Sequence, residues 1–186
     1  MLLVDADEQQ TAVQWSKAAP LDKPFPAAVV GMASYGEKLH REVQRQLENY
    51  DFIVIDTPPA LAAGAPLSAL LIANLAVVPV QPAPADLWAA RGVKLLVESV
   101  QVVNKELSAV ILASRVQRTS LTRAVMQEMR NFGIPLMDAQ LSNRTAFQEA
   151  VLAGTTVCTL GREAKAAAIE VSAMTDEILA ILGGAK

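Results

Sequence analysis

The chain has 186 residues, a formal net charge of -3, 52% apolar and 19% charged side chains, enough for one domain burying about 70% of its unfolded surface without staples. One cysteine, Cys158, cannot close an internal disulfide and one histidine excludes a histidine-rich metal site, which points to a reducing cytoplasm. The start, Met1-Leu2-Leu3-Val4-Asp5, lacks the basic region and long apolar core of a signal peptide, the apolar run Leu67 to Val80 is broken by Asn74 and Pro79, and the acidic balance argues against a nucleic-acid coat while leaving a local basic face open.

Strand and helix signals alternate almost to the end. Leu2 to Val4 reads as strand, Gln9 to Lys17 as helix and Ala27 to Val30 as strand; residues 18 to 26, with Pro20, Pro24 and Pro26, read as a loop. Leu39, Val43 and Leu47 recur every four residues on one face of a helix whose other face carries Lys38, Arg41, Glu42 and Arg45. Phe52 to Ile55 is an uninterrupted apolar run, expected to be a strand buried on both faces of a parallel sheet. Pro66 to Ala73 is a short helix and Leu75 to Val80 a strand, after which Asp86 is placed to cap a helix through Val103, with Leu96, Val100 and Val103 inside. Leu107 to Ala113 is strand, and Thr119 or Ser120 caps a helix that turns Leu121, Val125, Met129 and Phe132 inward and ends at Gly133. A short strand from Ile134 to Met137 and helices over Thr145 to Ala153 and Glu163 to Leu182 follow, the last with Val171, Met174, Ile178 and Ile181 on one stripe. Such alternation predicts a single α/β domain, a mostly parallel twisted sheet with helices on both faces.

The chemistry-bearing candidates lie at strand ends, where open α/β sheets bind ligands. Asp56 follows a strand and precedes Thr57-Pro58-Pro59; in phosphate chemistry such an acid supports magnesium, a Walker B reading, and otherwise it is a solvated strand terminus. Asp5, Asp7 and Glu8 put three acids within four residues, a charge cluster that suggests a cation and water site, or else a strand-helix turn with acids near a helix N-terminus. Val80-Gln81-Pro82-Ala83-Pro84-Ala85-Asp86-Leu87-Trp88 is a proline-stiffened loop able to line a ligand or dimer surface, or simply to turn the chain. From 115 to 130 the arginines Arg115, Arg118, Arg123 and Arg130 face one acid, Glu128, so a positive field fit for phosphate contact, or a solvated helix face, survives on an acidic protein.

In this order the pieces resemble the ParA family of partition ATPases, within the deviant Walker A group that includes MinD. Leu3-Val4-Asp5-Ala6-Asp7-Glu8-Gln9 with Trp15 downstream looks like the family's A′ motif, whose usual form has Pro where Glu8 stands, and Ile53-Val54-Ile55-Asp56-Thr57-Pro58-Pro59 looks like its Walker B. Val78-Pro79-Val80-Gln81-Pro82 with Asp86-Leu87 is similar to the proline-containing segment after the next strand, and Ser114-Arg115 falls where relatives place a polar-arginine pair near adenine. Leu141-Ser142-Asn143-Arg144-Thr145-Ala146-Phe147, with Ala150 and Gly154, resembles the late helix start near which relatives contact DNA.

The resemblance implies ATP and magnesium as cofactors, with Asp7 ordering the attacking water, Asp5 and Asp56 beside the metal, and Pro82, Ser114 and Arg115 around the nucleotide. It implies an ATP-dependent homodimer holding nonspecific DNA through arginines including Arg144, Arg118, Arg123 and Arg130, a centromere-binding, ParB-like partner, no membrane, and a bacterial cytoplasmic, nucleoid-associated location. The family's Lys-Gly-Gly-x-Gly-Lys-Thr-Thr loop has no counterpart here; Gly31-Met32-Ala33-Ser34-Tyr35-Gly36-Glu37-Lys38 has two glycines after a strand but no Gly-Lys-Ser/Thr ending. That loop supplies most of the positioning and charge that phosphoryl transfer needs. A truncated ParA-like domain with weak or absent ATP hydrolysis is therefore expected, its missing strand leaving two neighbours with unpaired edges. An in-frame glycine-rich loop upstream of Met1 is the corresponding expectation for the gene. The competing readings are a noncatalytic pseudo-ATPase binding module, a conjugative-transfer accessory of the VirC type, and a MinD-like positioning protein.

Overall fold

Three parallel strands build the first sheet: β1 (Leu2–Asp5) lies between β2 (Ala28–Gly31) and β3 (Ile53–Asp56). Leu2 is level with Ala28 and Ile53, and Asp5 with Gly31 and Asp56. The computed structural model describes residues 1–59 and 64–183. A second parallel sheet has the order β4 (Leu75–Val80), β5 (Ser108–Val116), β6 (Leu136–Ser142). The expected single sheet is thus two three-stranded sheets of one α/β domain, with β3 and β4 each paired on one side only among the described residues.

β3 differs from expectation in how its two faces are covered. Ile53 and Ile55 pack against the core of the first sheet, with Val4, Leu39 and Val43, whereas Phe52 and Val54 are 47% and 49% exposed. Strand alternation puts these two sets on opposite faces, and one of those faces is uncovered. The strand is half-buried rather than buried on both sides.

The helices are α1 (Thr11–Lys17), α2 (Leu39–Gln44), α3 (Ala65–Leu70), α4 (Pro84–Val100), α5 (Ser120–Arg130), α6 (Thr145–Leu152) and α7 (Lys165–Gly183). Several differ from the periodicity reading. α2 stops at Gln44, so Leu47 lies beyond it and is exposed. α4 starts on Pro84 after Ala83, with Asp86 inside its first turn and no side-chain cap, because proline's fixed φ suits a first helical position. It ends at Val100, which leaves Val103 outside and exposed. Thr119 caps α5 as expected, its hydroxyl accepting the Thr122 N–H at 3.0 Å, but Leu121 in the first turn points to solvent while Val125 and Met129 fill the core. β5 and β6 both run further than expected, with register shifts between Ile111 and Val116.

α7 covers β6 with Met174, Ile178 and Ile181 packed on Val110, Leu112 and Met137, the stripe that its sequence periodicity marks. Its carboxylates serve β6 directly. Glu177 accepts the N–H groups of Asp138 and Ala139 at 3.0 and 2.8 Å, and Glu170 accepts that of Ser142 at 3.0 Å.

Candidate functional site

Parallel register puts Asp5 beside Asp56 at the carboxyl ends of β1 and β3. The chain leaves β1 held to both neighbours: Ala6 N–H donates to the Asp56 carbonyl at 2.8 Å and Met32 N–H to the Asp5 carbonyl at 2.7 Å. The turn that follows folds onto its own acids. Asp5 is fully buried; its Oδ1 accepts the Asp7 N–H at 3.2 Å and its Oδ2 the Val13 N–H at 3.0 Å. Asp7 Oδ1 accepts the Gln9 N–H at 2.9 Å, and Gln10 enters α1 in the left-handed region at φ 52°. Local side-chain to backbone bonds of this kind are what short acids offer at turns.

Burial raises the Asp56 carboxyl above its ordinary value, and the charges of Asp5 and Asp7 raise it further. A proton or a cation relieves that repulsion. Asp56 remains reachable from solvent, so a magnesium ion that keeps most of its water and needs one or two carboxylates beside phosphate oxygens fits it. Asp5 is less accessible, being fully buried with each of its oxygens already accepting one backbone N–H. Those two bonds tie the Asp7 turn and the start of α1 to the Asp5 carboxylate. Among the described residues no group of three or more His, Cys, Asp or Glu side chains is placed to hold a metal ion.

The proposed nucleotide contacts lie at the carboxyl end of the second sheet. Val80 is level with Ala113, so Pro82, just past the end of β4, lies near the level of the Ser114-Arg115 pair in the last residues of β5. Arg115 is exposed and sits at φ 51° inside a β5 irregularity. A left-handed arginine is uncommon, and such outliers cluster where a chain is aimed at a ligand. The Gly31 to Lys38 segment forms the end of β2 and a 3-10 turn (Ala33–Lys38) that packs against α3, not a phosphate cradle.

The basic residues divide. Arg118, Arg123 and Arg130 are exposed and make no salt bridge among the described residues. Arg144, the residue before α6, donates from Nε and Nη2 to Glu170 Oε1 at 3.1 and 2.7 Å. Burial alone would raise the Glu170 carboxyl, but the hydrogen bonds from Arg144 and Ser142 outweigh it and hold the group below its ordinary value. The contacts of three side chains escaped sequence reasoning. Glu170 and Glu177 stand seven apart beside the apolar stripe of α7, and acids at that spacing next to an inward stripe are the signal that a strand edge needs acceptors. The indole N–H of Trp15 bonds to the carbonyls of Ala150 and Thr155, a contact no local pattern announces.

A mostly parallel α/β domain with acids at adjacent strand tips has the fold of the P-loop NTPase kind, in which ligands bind at the carboxyl ends of the strands. Residues 25–113 match the family described as "AAA domain". Over 183 residues, 96% of this chain and 80% of the relative, the sequence is 31% identical to maintenance of carboxysome distribution protein A of Gloeobacter kilaueensis. It is 28% identical to the protein of that name from Halothiobacillus neapolitanus, over 95% of this chain and 82% of the relative. The fold matches Cyanothece McdA without nucleotide, at TM-score 0.69 and 12% identity over 86% of this chain and 81% of that one. It matches an ATP complex of a Cyanothece McdA variant at TM-score 0.66 and 12% identity, over 94% of this chain and 84% of that one. The chain belongs to the ParA/MinD-like family of ATPases. No helix of the described residues is long and apolar enough to cross a membrane.

Proposed function

We propose that the protein positions a cellular cargo by cycling on and off nonspecific DNA under control of ATP and magnesium. The acid tip carries the reading: Asp5 and Asp56 are level at adjacent strand ends, and Asp56 is raised first by burial and then by the negative charge of Asp5 and Asp7, a crowding of charge that a divalent cation relieves. Asp56 would hold magnesium through water, and Asp7, whose Oδ1 already bonds Gln9 N–H, would order the attacking water once nucleotide is bound. Magnesium when bound neutralises charge developing on the phosphate oxygens. Pro82, Ser114 and Arg115 would flank the base. The glycine-rich phosphate loop is not among these 186 residues, so hydrolysis is assigned to the family and not to this stretch acting alone.

Arg118, Arg123 and Arg130, free on the surface, are the better phosphate contacts; Arg144 contributes only by sharing its guanidinium with Glu170. The names of the Gloeobacter and Halothiobacillus relatives support a carboxysome-like body as cargo in preference to a plasmid or chromosome, with an adaptor on that body in the role expected for a ParB-like partner. A nucleotide-dependent homodimer in the bacterial cytoplasm, on the nucleoid, completes the reading.

The test is DNA affinity against salt, with ATP and magnesium and then with ADP. The ATP state should bind more tightly, with a log-log slope of about -0.9 for each phosphate neutralised. Equal affinity in both states, or no response to salt, defeats the proposal.

A further inference from the structure

α1 is seven residues long, shorter than the roughly 12 to 15 residues that an isolated helix needs in water. It begins on left-handed Gln10 with no local side-chain cap. Two ties hold it. At its start, Asp5 Oδ2 accepts the Val13 N–H from eight residues upstream, satisfying one of the N–H groups that a helix leaves unpaired. Near its end, Trp15 Nε1 donates to the carbonyls of Ala150 at 3.2 Å and Thr155 at 2.9 Å, in the last turn of α6 and the loop beyond. The indole also meets Phe25 edge to face, with ring centroids 5.0 Å apart. Gly154 closes the junction: it sits at φ 61°, and a Cβ there would overlap the backbone of Ala18 and Ala19.

We propose that Trp15 is a positioning residue for the acid turn. By fastening α1 to the carboxyl end of α6, it keeps Val13 against Asp5 and thereby keeps the Asp7 amide on the same carboxylate. The Asp5–Asp7 turn, α1 and α6 form one mechanical unit, with Arg144 at the far end of α6. The importance of its two ends rests on the function proposed above; the linkage itself does not.

Residue-resolved amide hydrogen exchange on the full chain tests this. Trp15→Phe keeps an aromatic ring beside Phe25 and removes the donor, whereas Phe25→Leu removes the ring partner and keeps the donor. Trp15→Phe should speed exchange at Asp7 and Val13 about tenfold, the change expected from one lost hydrogen bond, and Phe25→Leu should leave both rates within about twofold. Unchanged exchange at Asp7 and Val13 in Trp15→Phe, or equal acceleration by Phe25→Leu, overturns the proposal. Wild-type protein supplies a measurement that needs no variant to fold. In rising denaturant the amides of Asp7 and Val13 and the indole proton of Trp15 should open together with one free energy, and separate openings refute the single unit. Absence of nucleotide-dependent DNA binding would defeat the proposed function and leave this linkage standing.

Discussion

Glu170 Oε1 lies 2.7 Å from Arg144 Nη2, and the same carboxylate takes both the amide and the hydroxyl of Ser142. One acid of α7 therefore fixes the end of β6 and the start of α6 together. The arginine that sequence order marks for DNA is part of this internal joint.

Glu170→Ala leaves the Ser142 N–H without its acceptor and should lower unfolding free energy by about 1–3 kcal/mol at pH 7. The native carboxyl titrates below its ordinary value of 4.5, so its contribution is full above that value and is lost as pH falls through the lower native one. Urea unfolding should give a gap between wild type and variant that narrows from pH 7 towards pH 3.

Asp56 has the opposite sign. Its native carboxyl titrates above 3.8, so the folded state binds more protons than the unfolded chain between the two values, and ionisation of this group costs stability as pH rises through the native value. Asp56→Asn should melt higher than wild type at pH 7 and equal to it near pH 3.5, while losing any magnesium-dependent change in melting temperature. Melting curves with and without magnesium read both effects.

Asp5→Ala removes the acceptor of two backbone N–H groups and should cost about 1–3 kcal/mol; Asp5→Asn, which keeps an acceptor oxygen, should cost less. Circular dichroism during denaturation measures this. A metal-ligand role for Asp5 would instead make the cost depend on magnesium.

Arg123→Ala and Arg130→Ala should each weaken DNA binding alike for all sequences and reduce the salt slope by about 0.9. Arg144→Ala should change the slope less, because its guanidinium is already engaged by Glu170. Fluorescence anisotropy on a short duplex at four or five salt concentrations separates these outcomes.

The alternation of strands and helices was legible because buried runs and capping residues are local signals: Leu75–Val80, Thr119 and the stripe of α7 stand where periodicity puts them. What escaped depends on tertiary context. Val54 has the composition of a buried residue and is exposed on the face of β3 opposite Ile53 and Ile55; Leu121 fits a helical stripe and lies in a first turn that faces water. Asp5, Asp7 and Asp56 were recognisable as a cluster from strand order, but the hydrogen-bond pattern of the turn was not. It depends on which oxygens Val13 and Asp7 N–H reach after the turn has folded.

The carboxylates of Glu170 and Glu177 also bear on colloidal behaviour. Strand rims with unsatisfied amides invite other chains to add on, and on β6 the amides of Asp138, Ala139 and Ser142 are occupied by side chains of the helix lying across them. With α7 in place, those three amides of the β6 rim already have acceptors and are closed to a strand from another chain.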